Sequence, residues 1–172
     1  MRIISGAYKG RKLKSPPKTA KIRPSTDRVR ETLFNLLANM VDLRDTTVLD
    51  LFCGTGSLGI ECLSRGASKA VFVDTDIWTV TENIELVSAE DSAEIVKSDA
   101  FRYLKRSSER FDVVLADPPY SFREYDELID EIIKKCGLLI LEHSSAISFN
   151  RDDSSLRKDF GETALTFFEC KN

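Results

Sequence analysis

Residues 47–59 read TVLDLFCGTGSLG, that is, Thr47-Val-Leu-Asp50-Leu-Phe52-Cys-Gly54-Thr-Gly56-Ser-Leu-Gly59. A short apolar run ends on an acid, and three glycines follow at G-x-G-x-x-G spacing before a helical pattern begins. Strand, tight turn and helix in that order form the first unit of a parallel nucleotide-binding sheet. Working outward, the same switch recurs. Apolar runs at 70–73, 94–96, 111–116 and 138–141 read as strands, ending at Asp74, Asp99, Asp117 and Glu142. Between them lie stripes at helical spacing: Ile77, Val80, Ile84 and Val87; Phe101 and Leu104; Tyr125, Leu128, Ile129, Ile132 and Ile133. The tail, 156–169, reads as two strands with a turn at Gly161. Upstream, Val29, Leu33, Leu36, Leu37 and Met40 mark a helix, and Gly6 and Gly10 bracket the turn of a hairpin over 2–13. Pro16, Pro17 and Pro24 make 14–25 an extended loop. The fold class is α/β, a Rossmann-like, mostly parallel sheet with helices on both faces. The expected division is a basic arm at 1–25 and one domain at 26–172.

Composition narrows the classes further. Of 172 residues, 42% are hydrophobic and 31% charged, which fits one soluble globular domain. The densest apolar stretch, 138–141, is far short of a membrane helix, and the first residues lack the apolar block of a secretory signal. Four cysteines form no CxxC, and a single histidine argues against a zinc site; the expectation is reduced thiols in a cytoplasmic protein with no metal. The net charge of −3 hides an asymmetry: residues 1–30 sum to +9 and the remainder to −12. Arg11, Lys12, Lys14, Arg23, Arg28 and Arg30 are candidates to neutralise nucleic-acid phosphates. The competing reading is a solvated arm, with Arg23, Arg28 and Arg30 paired to Asp27 and Glu31.

Five acids at strand ends would line the edge of the sheet where α/β proteins bind ligands. A rim of carboxylates repels anions and attracts cations or hydroxyl-rich ligands. The glycine turn with Asp74 twenty residues after Gly54 suits a ribose-containing cofactor. Two compete, NAD and S-adenosylmethionine. Asp50 would face the NAD pyrophosphate at a cost on the order of 1–4 kcal/mol, whereas it favours the ammonium and sulfonium of adenosylmethionine. Asp117-Pro118-Pro119-Tyr120 closes the run 111–116 on the same edge. An exocyclic amine on a base is a poor nucleophile, because its lone pair is delocalised into the ring. Asp117 and the Pro118 carbonyl can accept hydrogen bonds from such an NH₂ and turn its lone pair toward a methyl group. The prolines hold that carbonyl rigidly, and Tyr120 can stack on the base.

With the glycine turn and Asp-Pro-Pro-Tyr in this order, the chain resembles class I amino-methyltransferases. The segments MRIISGAYKGRKLKSP, IRPSTDRVRETLFNLL, VLDLFCGTGSLGIECLSRGA, VFVDTD and FDVVLADPPY resemble the RsmD family, bacterial enzymes that methylate the N2 amine of a guanine in 16S ribosomal RNA. The match resumes at LILEHS and DFGETALTFFE. The resemblance implies a seven-stranded sheet ending in an antiparallel hairpin. It also implies that Asp50, Gly54 and Gly56 surround the methionine part of S-adenosylmethionine, with Phe52 of the same turn in the cofactor-binding set. Asp74 would hold the ribose, Asp99 and Ala100 would lie by the adenine, and Asp117, Pro118, Pro119 and Tyr120 would hold the guanine. The implied partner is 16S rRNA, in the small ribosomal subunit or an assembly intermediate. The expectation is a cytoplasmic monomer with no membrane partner. The family commonly carries Glu where Asp74 stands, and the stretch between Tyr120 and Glu142 is shorter than the family pattern. Methylation of adenine N6 or cytosine N4 stays open, because the tetrapeptide serves any exocyclic amine; an NAD-dependent oxidoreductase is the more distant alternative. His143 is read as structural or solvent-facing, and Trp78 as packed.

Overall fold

A computed structural model describes residues 1–15 and 27–170. The helix α1 spans Asp27–Met40, and strands and helices then alternate: β1 Thr47–Leu51, α2 Ser57–Ser64, β2 Lys69–Asp74, α3 Trp78–Val87, β3 Ala93–Lys97, α4 Ala100–Arg106, β4 Phe111–Ala116, α5 Tyr125–Ile133 and β5 Cys136–Ser144. The last two strands are β6 Ser154–Phe160 and β7 Thr163–Glu169. They form one seven-stranded sheet in the order β3-β2-β1-β4-β5-β7-β6. The first five strands are parallel, and β7 runs antiparallel to both β5 and β6.

Alternation along each strand divides the core. Val48, Ala70, Phe72, Val113, Leu115 and Ile140 pack with Leu33, Phe34, Ile60, Val80 and Ile84 of α1, α2 and α3. Leu49, Val71, Val73, Val114 and Leu139 pack with Leu104, Leu128, Ile129 and Ile132 of α4 and α5 on the other face. The inner strands β1, β2, β4 and β5 are buried on both sides and read as continuous apolar runs, which is why they are plain in the sequence, whereas the edge strand β3 is only partly buried. The chain order reverses between β1 and β4. That switch point opens a crevice at the carboxyl ends of the strands, where the glycine turn and Asp117-Pro118-Pro119-Tyr120 both lie.

Residues 1–15 dock on the α2 side. Arg2 and Lys12 form one antiparallel bridge, so the expected hairpin closes through a single rung. Ile3 and Leu13 are buried in the core beneath it. The Glu61 carboxylate accepts the amides of Ile4 (2.7 Å) and Ser5 (3.0 Å), and the Ala7 amide donates to the Ser64 carbonyl. Gly6 has φ +83°, and a Cβ there would fall 1.7 Å from the Ser64 oxygen, so this close approach admits only glycine.

Two expectations change. Glu142 does not end its strand: β5 continues to Ser144 because β7 pairs with it residue for residue, Glu142 against Leu165. Arg30 is not a surface cation. It is 1% exposed, and its guanidinium donates to the Arg2 carbonyl (3.0 Å) and to Asp27, with Glu61 at 3.8 Å. It holds the arm to α1, and its proposed contact with phosphate is withdrawn.

Candidate active site

The glycine turn leaves β1 in left-handed backbone: Phe52 has φ 57°, Gly54 54° and Gly56 74°. Positive φ at the non-glycine Phe52 is the strained conformation often found at ligand clamps. Gly56 and Gly59 differ in purpose from Gly54. A Cβ on Gly56 would lie 2.5 Å from Val80 Cγ2, and on Gly59 2.4 Å from Phe72 Cε1, so both permit helix and sheet to close together. At Gly54 the space is open, with the Phe52 carbonyl 4.0 Å away as the nearest atom, leaving room for a ligand against the backbone.

Two acids bond this turn, and a third stands on the same rim after β3. Asp50 is buried, and its Oδ2 accepts the Gly59 amide at 2.9 Å. Burial pushes its carboxyl up to about 8; the Gly59 amide opposes that shift and the charge of Asp74 adds to it. Asp74 accepts the Gly54 amide at 2.8 Å through Oδ2 and the Asp76 amide at 3.1 Å through Oδ1. It therefore spans the turn after β1 and the turn after β2. Asp99 caps α4, accepting the Arg102 amide at 3.1 Å, and Ala100 behind it is buried. This acid-rich set fits a cofactor with cationic groups and ribose hydroxyls, and is poorly matched to a pyrophosphate.

The second half of the site follows β4. The Asp117 amide donates to the Leu51 carbonyl at 3.4 Å, which ties this loop to the end of β1. Pro118 is buried, and Pro119 and Tyr120 are exposed. The Pro119 carbonyl accepts the Phe122 amide at 2.8 Å, and the Tyr120 carbonyl accepts Arg123 at 2.8 Å. Among the described residues none donates to the Pro118 carbonyl, so that oxygen stands ready as an acceptor. The Tyr120 hydroxyl is held 3.1 Å from Thr163 Oγ1, and the ring is 52% exposed, a fixed surface against which a base can lie.

Sequence reasoning missed an aromatic cluster that joins the loops. Phe122 meets Phe52 edge-on at 5.6 Å and stacks with Phe101 at 6.2 Å. One ring thus touches the glycine turn, and through Phe101 the start of α4. The signal was the Phe two residues beyond Tyr120, too isolated to interpret without the fold. His143 is buried; its Nδ1 lies 2.8 Å from the Ser144 carbonyl and its Nε2 2.8 Å from Thr166 Oγ1. A carbonyl only accepts, so Nδ1 carries the proton and Nε2 receives the hydroxyl. Burial lowers its pKa, which fits a neutral structural imidazole. Trp78 does not pack: it is 71% exposed.

Of the basic residues, Arg11, Lys12, Lys14 and Arg28 are exposed. Arg11 donates to the Leu86 carbonyl at 2.9 Å, and Lys14 pairs with Glu82 at 2.7 Å. Arg23 lies outside the described residues. A cavity of about 670 Å³ lined by Lys134, Arg151, Asp153 and Cys170 lies at the opposite edge of the sheet, where β5 begins and β7 ends. It is remote from the glycine turn and plays no part in the site.

Comparison with known proteins agrees with this geometry. A family model described as "Conserved hypothetical protein 95" matches residues 1–169. The chain is 34% identical to YlbH of Bacillus subtilis (strain 168) over 184 residues, covering 98% of each protein. It is 38% identical over 133 residues to the Escherichia coli (strain K12) protein named ribosomal RNA small subunit methyltransferase D, covering 76% of this chain and 65% of that one. The solved structure of yhhF from Escherichia coli superposes with a TM-score of 0.84 at 31% identity, covering 99% of this chain and 98% of that one. The match runs through both halves of this crevice, the glycine turn and the Asp-Pro-Pro-Tyr loop, and the chain belongs to the RsmD family of class I methyltransferases.

Proposed function

We propose that the protein transfers a methyl group from S-adenosylmethionine to the N2 amine of a guanine in 16S rRNA, on a small subunit or an assembly intermediate. The observation that carries the reading is the Asp117 amide bonded to the Leu51 carbonyl, which sets the amine-binding loop directly beside the glycine turn. Asp50, Phe52, Gly54 and Gly56 would hold the methionine part of the cofactor. Asp74 would hold the ribose, and Asp99 with Ala100 would flank the adenine. When bound, the cofactor supplies an activated methyl on a sulfonium whose charge disappears as the methyl leaves.

The chain supplies alignment. The Asp117 carboxylate and the Pro118 oxygen accept the two N–H groups of the amine, which localises its lone pair and points it across the crevice. Pro118 and Pro119 fix that oxygen before substrate arrives, so no reorganisation accompanies the reaction. Tyr120, held at its hydroxyl by Thr163, stacks on the base. The target base must leave its stack to reach this depth. The proton released with transfer passes to Asp117 or to water.

Incubation with labelled cofactor and small subunits at several assembly stages, followed by digestion to nucleosides and mass analysis, tests the reading. N2-methylguanine is the expected product; N6-methyladenine or N4-methylcytosine would replace the assignment. Asp117→Ala is expected to abolish turnover while leaving adenosylhomocysteine affinity within a few-fold, and retained turnover would remove Asp117 from the mechanism.

A further inference from the structure

Trp78 is the only tryptophan in the chain, and 71% of it is exposed. It opens α3, and its amide donates to Asp76 Oδ1 at 3.1 Å in the turn that follows β2. It therefore stands on the carboxyl-end rim of the sheet, beside the loop that carries Asp74. A large aromatic left in water at such a rim has no packing purpose, since the buried face of α3 is made by Val80, Asn83, Ile84 and Val87.

The basic arm leads to it. Arg11 bonds the Leu86 carbonyl near the end of α3, and Lys14 pairs with Glu82 one turn from Trp78. The chain thus runs antiparallel to α3, from its last turn toward its first. From Leu86 to Trp78 is ~12 Å along the helix axis. Cations followed by an exposed aromatic make the pattern that binds single-stranded nucleic acid, with phosphates on the cations and bases on the ring. The hydrogen bond of Arg11 and the ion pair of Lys14 are at the surface and yield readily to a phosphate. On the Trp78 side, outside this pair, Asp76 and Glu85 are acidic. They repel phosphate and leave the ring to an uncharged base.

We infer that Trp78 is a stacking platform for an unpaired base of the RNA substrate, one displaced from the base held at Tyr120. The inference rests on the reading that the substrate is RNA. It deepens that reading by extending the footprint across the β2 side of the rim. The indole takes any base by its face, so it adds affinity and orientation without reading sequence.

A single tryptophan allows a direct test. The full chain is titrated with a dye-labelled single-stranded RNA oligonucleotide while tryptophan emission and dye anisotropy are both followed, and separately with adenosylhomocysteine. RNA is expected to quench the emission saturably, over the range where anisotropy reports binding, and adenosylhomocysteine alone to leave it unchanged. Trp78→Ala is expected to weaken RNA binding about five- to a hundredfold, and Trp78→Phe to retain most of it. Adenosylhomocysteine affinity is expected to be the same in all three proteins. Bound RNA with unquenched emission, or Trp78→Ala with unchanged RNA affinity, overturns the inference while methylation of RNA still upholds the proposed function. Full quenching by adenosylhomocysteine alone assigns Trp78 to the cofactor and overturns it too. If no RNA binds or is methylated, both readings fall together.

Discussion

Replacing Asp50 by Asn is expected to stabilise the ligand-free protein and, in the same variant, to weaken cofactor binding. Asp50 is 1% exposed and has one backbone donor, the Gly59 amide. Burial lifts its carboxyl from 3.8 to about 8, so between those values the folded chain holds a proton that the unfolded chain has lost. A raised pKa contributes stability that is complete below the unfolded value and disappears as pH rises through the folded one. Between pH 6 and pH 8 the loss is on the order of 2 kcal/mol. For a chain of this size that is roughly 4–8 °C in melting temperature. Asn keeps the Gly59 bond through its amide oxygen and has nothing to titrate. Thermal melts of both proteins at pH 6, 7 and 8, without ligand, should therefore diverge, the variant melting higher as pH rises. Titration with adenosylhomocysteine at pH 8 should run the other way. The ligand's ammonium loses a charged acceptor, a deficit of about 1.5–3 kcal/mol or at least tenfold in affinity. Melting curves that stay parallel from pH 6 to pH 8 would refute the burial argument. A variant that binds adenosylhomocysteine as tightly as the parent would remove Asp50 from the cofactor site.

Two further outcomes are expected. Glu61→Ala leaves the amides of Ile4 and Ser5 unpaired and removes the buried counter-charge of Arg30, leaving only exposed Asp27, at a cost of about 3–5 kcal/mol by urea unfolding; a loss under 1 kcal/mol would show that the arm docks without it. Neutralising Arg11, Lys12 and Lys14 together should lower the slope of log affinity for RNA against log salt by about two, and an unchanged slope would make these cations mere solvated surface.

The inner parallel strands were legible because burial on both faces leaves apolar runs, and Asp74 and Asp117 because each stands directly at the end of such a run. Glu142 was misplaced for the opposite reason. Once β7 pairs with β5, the polar sequence Glu-His-Ser continues as strand, supported by a partner some twenty residues later in the chain. Arg30 shares the helical face of Leu33, Phe34 and Leu37, so its burial followed from periodicity. Its charge argued otherwise, and what decides the matter is long-range: the Arg2 carbonyl and Glu61. Trp78 is the mirror case. The habit of burying aromatics misled, whereas Glu82 and Glu85, on its side of the helix, marked that face as solvated. Phe122 joins the cofactor turn to the base loop, and no local pattern announces a ring whose partners, Phe52 and Phe101, lie in other loops.

The arm and the cofactor turn are not independent parts. Asn83, fully buried on α3, accepts the Lys14 amide at 2.8 Å through Oδ1. Its Nδ2 donates to the Lys14 carbonyl at 3.2 Å and to the Thr55 carbonyl, between Gly54 and Gly56, at 2.9 Å. One side-chain amide thus satisfies both backbone groups of an arm residue and one of the glycine turn. Each of those groups would otherwise cost about 1–3 kcal/mol if left buried and unpaired. Because the same amide serves both, neither segment can shift without breaking bonds that fix the other. The cations that would meet RNA are consequently held in register with the turn that would hold the methyl donor. That physical link lets a chain of modest size bring a polyanionic substrate to an acid-lined crevice: the positive charge is carried on a separate segment, and the segment is fastened to the site by a neutral group.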